Sequence, residues 1–521
     1  MNLLTLLSDI VGREHVLTDE SMTSAFTTDW TGRFSGSAYA VVRPANTAQV
    51  SAVLAACLHV GRPVHPQGGN TGLVGGSVPV GFAGASEVGE ADRTADHAAA
   101  DGDADGDAGV DSDRAPVVLS TTRLSWIGEV SGGQMRVGAG TTLADVQHAA
   151  TAAGLHYGVD IAARDSATIG GTIATNAGGV RVCAFGMTRA QLVGIEAVLA
   201  DGTVVSHLAG LPKDNTGYDL VGLFTGSEGT LGVVTAATLR LHSAPGRSTL
   251  ALVGVADLAQ AQSLVASCVP VGSRLLAAEV MDEVGTDIVC EFAGLPWPLA
   301  ARWPKLLLLE VEGDEIALPD VLLANGRSPE VGSAAEVGSA PEVGSAAGVE
   351  SAPEVGSAAE VELDAILATD AADYARIWRY REHQSEAAQV MAARIGGFVH
   401  KLDVSVPLPA LPAFAADLEP LLDAIPSVDE YYTFGHIADG NLHIEIAEPT
   451  ASDDSATLAV LELVARHGGS ISAEHGIGQA KSAYLSLTRS PQEIAVMRAI
   501  KSALDPAGQM APGVLFPPDS R

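Results

Sequence analysis

Cysteine, positive charge and long apolar runs are all scarce in this 521-residue chain. The four cysteines (Cys57, Cys183, Cys268 and Cys290) are scattered, with no CxxC pair. That excludes an iron–sulfur cluster or zinc ribbon built by this chain alone and fits a reducing cytoplasm. Lys and Arg total 29 against 63 Asp and Glu, a net charge of −34. Nothing basic is clustered to neutralise phosphate, so nucleic acid and anionic membrane surfaces are excluded as partners. No apolar run reaches ~18 residues, and Met1–Ile10 has no positive flank, so neither a membrane span nor a signal peptide is read.

What is present is length, glycine and local acidity. A chain of 521 residues with 47% hydrophobic content predicts two or three domains. Residues 83–115 hold ten Asp/Glu and residues 329–362 hold seven, the latter in a run of EVGSAA and EVGSAP units. Both are read as low-complexity insertions without a core. Asp101, Asp103 and Asp105 imitate the start of a calcium loop, but Ser112 stands where a bidentate Glu is needed.

The remaining chain reads as alternating elements. A helical lead-in covers residues 1–36. A strand at Ala38–Val42, a helix over Asn46–Val60 capped by Asn46 or Thr47, and a strand at Arg62–Pro66 feed the loop QGGNTGLVGGS at Gln67–Ser77. A helix from Thr141 or Thr142 to Ala152, a hairpin over Leu192–Leu208 and an alternating strand near Leu241 follow. Past Pro245 glycine thins out and a second domain is expected over 245–455. It holds a helix over Asp373–Arg394, a strand over Phe398–Val406 and a hairpin turning at Asp439-Gly440. Residues 456–521 add helices over Ala456–His467 and Pro491–Leu504.

Glycine loops cradle phosphate because bare backbone brings several N–H groups close to an anion. A Walker loop is excluded, since Gln67–Ser77 contains no lysine. A dinucleotide fingerprint is excluded too, since Leu143 stands where the third glycine belongs after Gly138 and Gly140. In the hairpin YYTFGHIADGNLHIE, Asp439-Gly440 suits a two-residue type I′ turn, which would set His436 directly opposite His443. Two imidazoles about 4.5–5.5 Å apart at Cβ can share a cation. Ser472–Gly476 offers a carboxylate, Glu474, and a spare imidazole, His475; two His and one carboxylate suit a divalent metal. In an extended segment, Glu474 and His475 would point to opposite sides.

His65–Gly72, the TIGG…ATNAGG run, Gly226–Gly232, the hairpin and Ser472–Gly476 occur in one order along the chain. Together they resemble the FAD-linked D-2-hydroxyacid dehydrogenases, of the vanillyl-alcohol-oxidase type. Pro66–Pro79 and Lys213–Tyr218 most resemble the D-2-hydroxyglutarate dehydrogenase branch. The resemblance implies an α+β fold: a two-part FAD-binding domain over 37–244, an α+β substrate cap over 245–455, and a C-terminal helical segment completing the site.

It implies noncovalent FAD held by Pro66, Gln67, Gly68, Gly69, Asn70, Thr71, Gly72 and Ser77 around the pyrophosphate. Ser166, Thr168, Gly170, Gly171, Thr175, Asn176, Gly178 and Gly179 would lie toward the flavin, with Glu228, Gly229, Gly232 and Val233 completing the set. A divalent metal, zinc or manganese, is implied on His436, His443 and Glu474, and His475 is the implied base. Arg381, Ser385 and Lys401 would hold a substrate carboxylate. The chemistry agrees: a base takes the hydroxyl proton, a cation lowers its pKa and flavin N5 accepts the C2 hydride. Without the resemblance, Arg381 reads as a surface ion pair with Glu382 or Glu386, whereas Lys401 in an apolar strand needs a partner.

Two departures stand out. Glu445 replaces the amide usual in the hydroxyglutarate branch, so it would either repel a second substrate carboxylate or join the metal. Ala511-Pro512-Gly513 replaces the usual Asn-Pro-Gly. The expected substrate is a D-2-hydroxyglutarate- or D-lactate-type acid, and the acceptor an electron-transfer flavoprotein, a quinone or a cytochrome. A homodimer is compatible. The alternatives are a flavin subunit of a glycolate-oxidase-type complex and a non-catalytic flavin-binding protein.

Overall fold

The computed structural model describes residues 2–79, 115–211, 213–267, 274–313, 364–368, 370–450 and 453–517. The acidic run over 83–114, with its calcium-loop imitation, and the repeats over 329–362 lie outside the described residues.

Three sheets organise the chain. The first has four strands in the order Val16–Leu17, Ala40–Val42, Val117–Ser120, Val64–Gln67, the last three mutually parallel. The helix Thr47–His59, N-capped by Asn46, connects Ala40–Val42 to Val64–Gln67. Those two strands do not touch, because Val117–Ser120 inserts between them. The second sheet is antiparallel and five-stranded: Ile127–Ser131, Gln134–Gly138, Val233–Arg240, Leu192–Val198, Val204–His207. Val233–Arg240 was expected to alternate, yet every residue but the last is buried. Helices Ile169–Thr175 and Thr47–His59 both pack against it, so neither face meets water.

The third sheet, seven-stranded and antiparallel, runs Ala365–Leu367, Ser248–Val255, Lys305–Glu312, Arg274–Asp282, Glu430–His436, Asn441–Glu448, Phe398–Ser405. Its leucine-rich strands feed two cores. Leu307, Leu309 and Ile444 pack under helices Leu258–Ser267, Leu411–Asp423 and Ser455–Arg466. Leu306, Leu308 and Phe434 face helices Glu283–Ala293, Ala371–Glu382 and Gln384–Ile395. Period-two alternation makes this division. The single helix expected over Asp373–Arg394 is two helices broken at His383. Arg381 and Ser385 therefore straddle a junction rather than share one helical face.

Candidate active site

The hairpin register differs from the expectation. His436 pairs with Asn441, Gly435 with Leu442 and Phe434 with His443, so residues 437–440 form the connection. Ile437 is drawn out of the hairpin because its N–H donates to the Ala278 carbonyl of the adjoining strand. The histidines become diagonal neighbours on one face, with ring centroids 5.5 Å apart.

That register builds a polar lattice on an otherwise apolar sheet. Glu279 lies opposite His436, Asp403 opposite His443, and Lys401 opposite Glu445. His436 Nδ1 lies 2.7 Å from Glu279 Oε1, and Arg381 Nε donates to Glu279 Oε2 at 2.6 Å. Burial opposes charge on His436, but the Glu279 carboxylate outweighs it and pushes the imidazole up to about 10. For His443 burial wins over the pull of Asp403, 3.9 Å from its Nδ1, and pushes the imidazole down to about 3. Burial likewise pushes Glu445 up to about 7, against the pull of Lys401, whose Nζ stands 3.8 Å from Oε2.

Glu474 and His475 come from a bent loop rather than an extended one, and both face the same cavity. Three backbone N–H groups, of Ala473, Glu474 and His475, donate to Asp403 Oδ2 at 2.8–3.1 Å. Burial opposes ionisation of Asp403, but His475, Lys481 and then this N–H array outweigh it and hold the carboxyl far below its ordinary range. The loop places Glu474 Oε1 at 3.7, 3.6 and 3.9 Å from the Nε2 atoms of His436, His443 and His475. Glu474 Oε2 accepts the Gly179 N–H at 2.7 Å. Donor atoms bound at about 2.1 Å around one tetrahedral cation stand about 3.4 Å apart, close to the spacing of Glu474 Oε1 from the imidazoles of His436 and His443. The clustering of Asp403, His443, Glu474 and His475 overlaps that set. His475, the most exposed of the three imidazoles, is the one free to face a substrate.

The glycine loops form the other wall. A Cβ on Gly69 would meet the Ser166 carbonyl oxygen at 1.9 Å, and one on Gly68 the Thr168 hydroxyl at 2.4 Å. The first loop thus lies directly on the turn that opens the helix Ile169–Thr175, capped by Thr168. One cavity of about 1200 Å3 runs from these loops to the histidines, Arg381, Ser385, Lys401 and Glu445. Backbone on one side and titratable groups at the far end suit a dinucleotide with a reacting ring.

The comparisons agree. The profile for FAD linked oxidases, C-terminal domain, matches residues 244–515, and that for an FAD binding domain matches residues 104–207. A mitochondrial D-2-hydroxyglutarate dehydrogenase from Arabidopsis thaliana is 32% identical over 524 residues, covering 99% of this chain and 81% of the relative. A D-2-hydroxyglutarate dehydrogenase from Xanthomonas citri is 34% identical over 500 residues, covering 94% of this chain and 91% of the relative.

The chain belongs to the FAD-linked D-2-hydroxyacid dehydrogenase family. A solved structure of p-cresol methylhydroxylase shares the fold at TM-score 0.66 and 14% identity, covering 100% of this chain and 97% of that one. The fold is therefore that of the vanillyl-alcohol-oxidase-type flavoproteins. This dehydrogenase is an FAD-linked oxidoreductase. Among its described residues no helix is long and apolar enough to cross a membrane.

Every residue expected at the FAD, the metal or the substrate lines the cavity, except Asn176. Asn176 adopts φ +53 at the helix end, and its Oδ1 turns away to accept the Arg189 N–H. Within the first loop, Gln67 Nε2 donates to the Phe26 and Ser77 carbonyls, and Asn70 Nδ2 to the Ala25 and Thr28 carbonyls. Ser77 Oγ donates to Asn70 Oδ1. These side chains shape the loop. Arg381 is no surface residue paired to Glu382 or Glu386: it is 7% exposed and bound to Glu279. Glu445 pairs with Lys401 and stands outside the converging donor set. Ala511 does not line the cavity.

Glu228, expected at the cofactor, lines the cavity and holds a neighbouring loop. Its carboxylate accepts the Ile477 and Gly478 N–H groups at 2.9 and 2.7 Å and so pins the loop that carries His475. Glu228→Gln keeps one acceptor oxygen of two. It is expected to cost about 1.5–3 kcal/mol, read from the denaturant midpoint. An unshifted midpoint would remove Glu228 from this role. Glu279 and Asp403 were not singled out from sequence, although each is a carboxylate in an apolar strand, the signal that flagged Lys401.

Proposed function

We propose that this dehydrogenase oxidises a D-2-hydroxy acid, of the D-2-hydroxyglutarate or D-lactate type, to the 2-oxo acid with noncovalent FAD and a divalent cation. The observation that carries it is one continuous cavity joining the glycine loops to the half-buried imidazole of His475, with Arg381 and Lys401 also lining it.

FAD, when bound, supplies an acceptor for the hydride of the alcohol carbon at N5. Gly68, Gly69 and the turn at Thr168–Gly171 would face its phosphates with backbone N–H groups. A zinc or manganese ion on His436, His443 and Glu474 would supply Lewis acidity toward an alcohol oxygen. The chain's own residues do the rest. His475 takes the hydroxyl proton at Nε2, the nitrogen facing Glu474. Arg381 uses Nε on Glu279 and keeps its Nη groups for the substrate carboxylate. Lys401, fixed by the Ser385 carbonyl at 3.0 Å, adds a second positive charge. The electron acceptor is an electron-transfer flavoprotein, quinone or cytochrome. Unpaired Cys57, Cys183 and Cys290 suit the cytoplasm.

Anaerobic addition of D-2-hydroxy acids to the purified chain is expected to bleach the flavin, with L-isomers inert. Failure of every D-acid to bleach it would reject the reading in favour of a complex subunit or a non-catalytic flavoprotein.

A further inference from the structure

One carboxylate joins the two halves of the proposed site. Glu279 lies in the middle of the strand Arg274–Asp282 and is 1% exposed. Its Oε1 meets His436 Nδ1 at 2.7 Å and its Oε2 receives Arg381 Nε–H at 2.6 Å. Strand pairing supplies the first contact, since Glu279 and His436 are opposite residues. The second comes from the last turn of the helix Ala371–Glu382, laid over the same sheet face.

An ionised carboxylate can only accept, so both neighbours must present protons to it. Arg381 always does. His436 must then carry a hydrogen on Nδ1, so Nε2, 3.7 Å from Glu474 Oε1, is the nitrogen whose proton a cation can displace. Holding the outer ring nitrogen of a ligand histidine in this way fixes its tautomer and orientation. The same side chain fixes the plane of the guanidinium, which also lies 4.8 Å from the Phe434 ring centroid.

We propose that Glu279 is a shared positioning residue, setting the cation ligand His436 and the carboxylate clamp Arg381 together, so that cation affinity and substrate affinity are coupled through it. This rests on the function proposed above. A buried ion pair with only a structural role would change stability and leave both affinities alone.

Glu279→Gln separates the two. An amide has one accepting and one donating end, so it cannot receive both protons. With the oxygen kept by Arg381, the amide N–H faces His436 and drives its proton to Nε2, which then cannot ligate. In flavin-loaded protein, zinc affinity measured against a chromophoric chelator is expected to fall about 10–100-fold. KM for the acid is expected to rise, with flavin content retained and partial recovery in Glu279→Asp. Arg381→Met, in a chain with Glu279 intact, is expected to shift zinc affinity at least threefold, and to lose that effect when combined with Glu279→Gln. Zinc affinity and KM both within twofold of the parent in folded Glu279→Gln would overturn the proposal, as would an unmoved zinc affinity in Arg381→Met. A parent chain that takes up neither zinc nor manganese would instead overturn the metal reading, and this proposal with it.

Discussion

Replacing His475 by Asn is expected to leave a folded, yellow protein whose turnover falls about 10²–10⁴-fold, the usual contribution of a positioned base. The loop does not depend on the imidazole for its shape. Its backbone N–H groups are held by Asp403 on one side and Glu228 on the other, through contacts that an Asn at 475 leaves in place. The ring itself stacks on His443 with centroids 5.5 Å apart and is 23% exposed in its side chain, so its loss opens no large buried cavity. Asn can hydrogen-bond to an alcohol but cannot carry its proton away. Single-turnover bleaching of the flavin by a D-2-hydroxy acid reads the loss directly. A rate within tenfold of the parent would show that the proton leaves by another group.

The features legible in the sequence are those with short-range causes. Asn46, one of two caps expected for its helix, and Thr142, one of two expected helix starts, are the N-caps, because a side-chain oxygen reaching a backbone N–H three residues on is a local event. The glycine loops were visible because close backbone approach excludes every other residue, as at Gly69 against Ser166. The hairpin shows where local rules stop. Asp439-Gly440 does sit in the turn, yet the register is set by Ala278 capturing the Ile437 N–H from a strand more than 150 residues away. Glu279 and Asp403 were missed for the same reason. Their partners are assigned by strand order in a seven-stranded sheet, which sequence pattern does not reveal. The break at His383 likewise falls inside a stretch whose helical period continues across it.

Under the proposed chemistry, stripping the cation with a chelator is expected to lower turnover by about 10³-fold, since Lewis-acid assistance is worth several kcal/mol and each 1.4 is tenfold. Zinc or manganese should restore it while the flavin spectrum stays unchanged throughout. Glu474→Gln is expected to reproduce the loss permanently. Burial opposes ionisation of its carboxylate, but hydrogen bonding and charge from His436 outweigh that and hold it below its ordinary value. The substitution removes that charge from the point where the imidazole Nε2 atoms converge. It spares the other contact: an amide oxygen can still accept the Gly179 N–H, so the flavin-facing loop keeps its anchor. The two functions of Glu474 therefore separate, with cation affinity lost and flavin retained. Loss of flavin together with the cation would mean that the carboxylate mainly supports the glycine wall. Full activity after exhaustive chelation, with no metal found by elemental analysis, would leave His436, His443 and Glu474 as an internal hydrogen-bonded network and not a cation site.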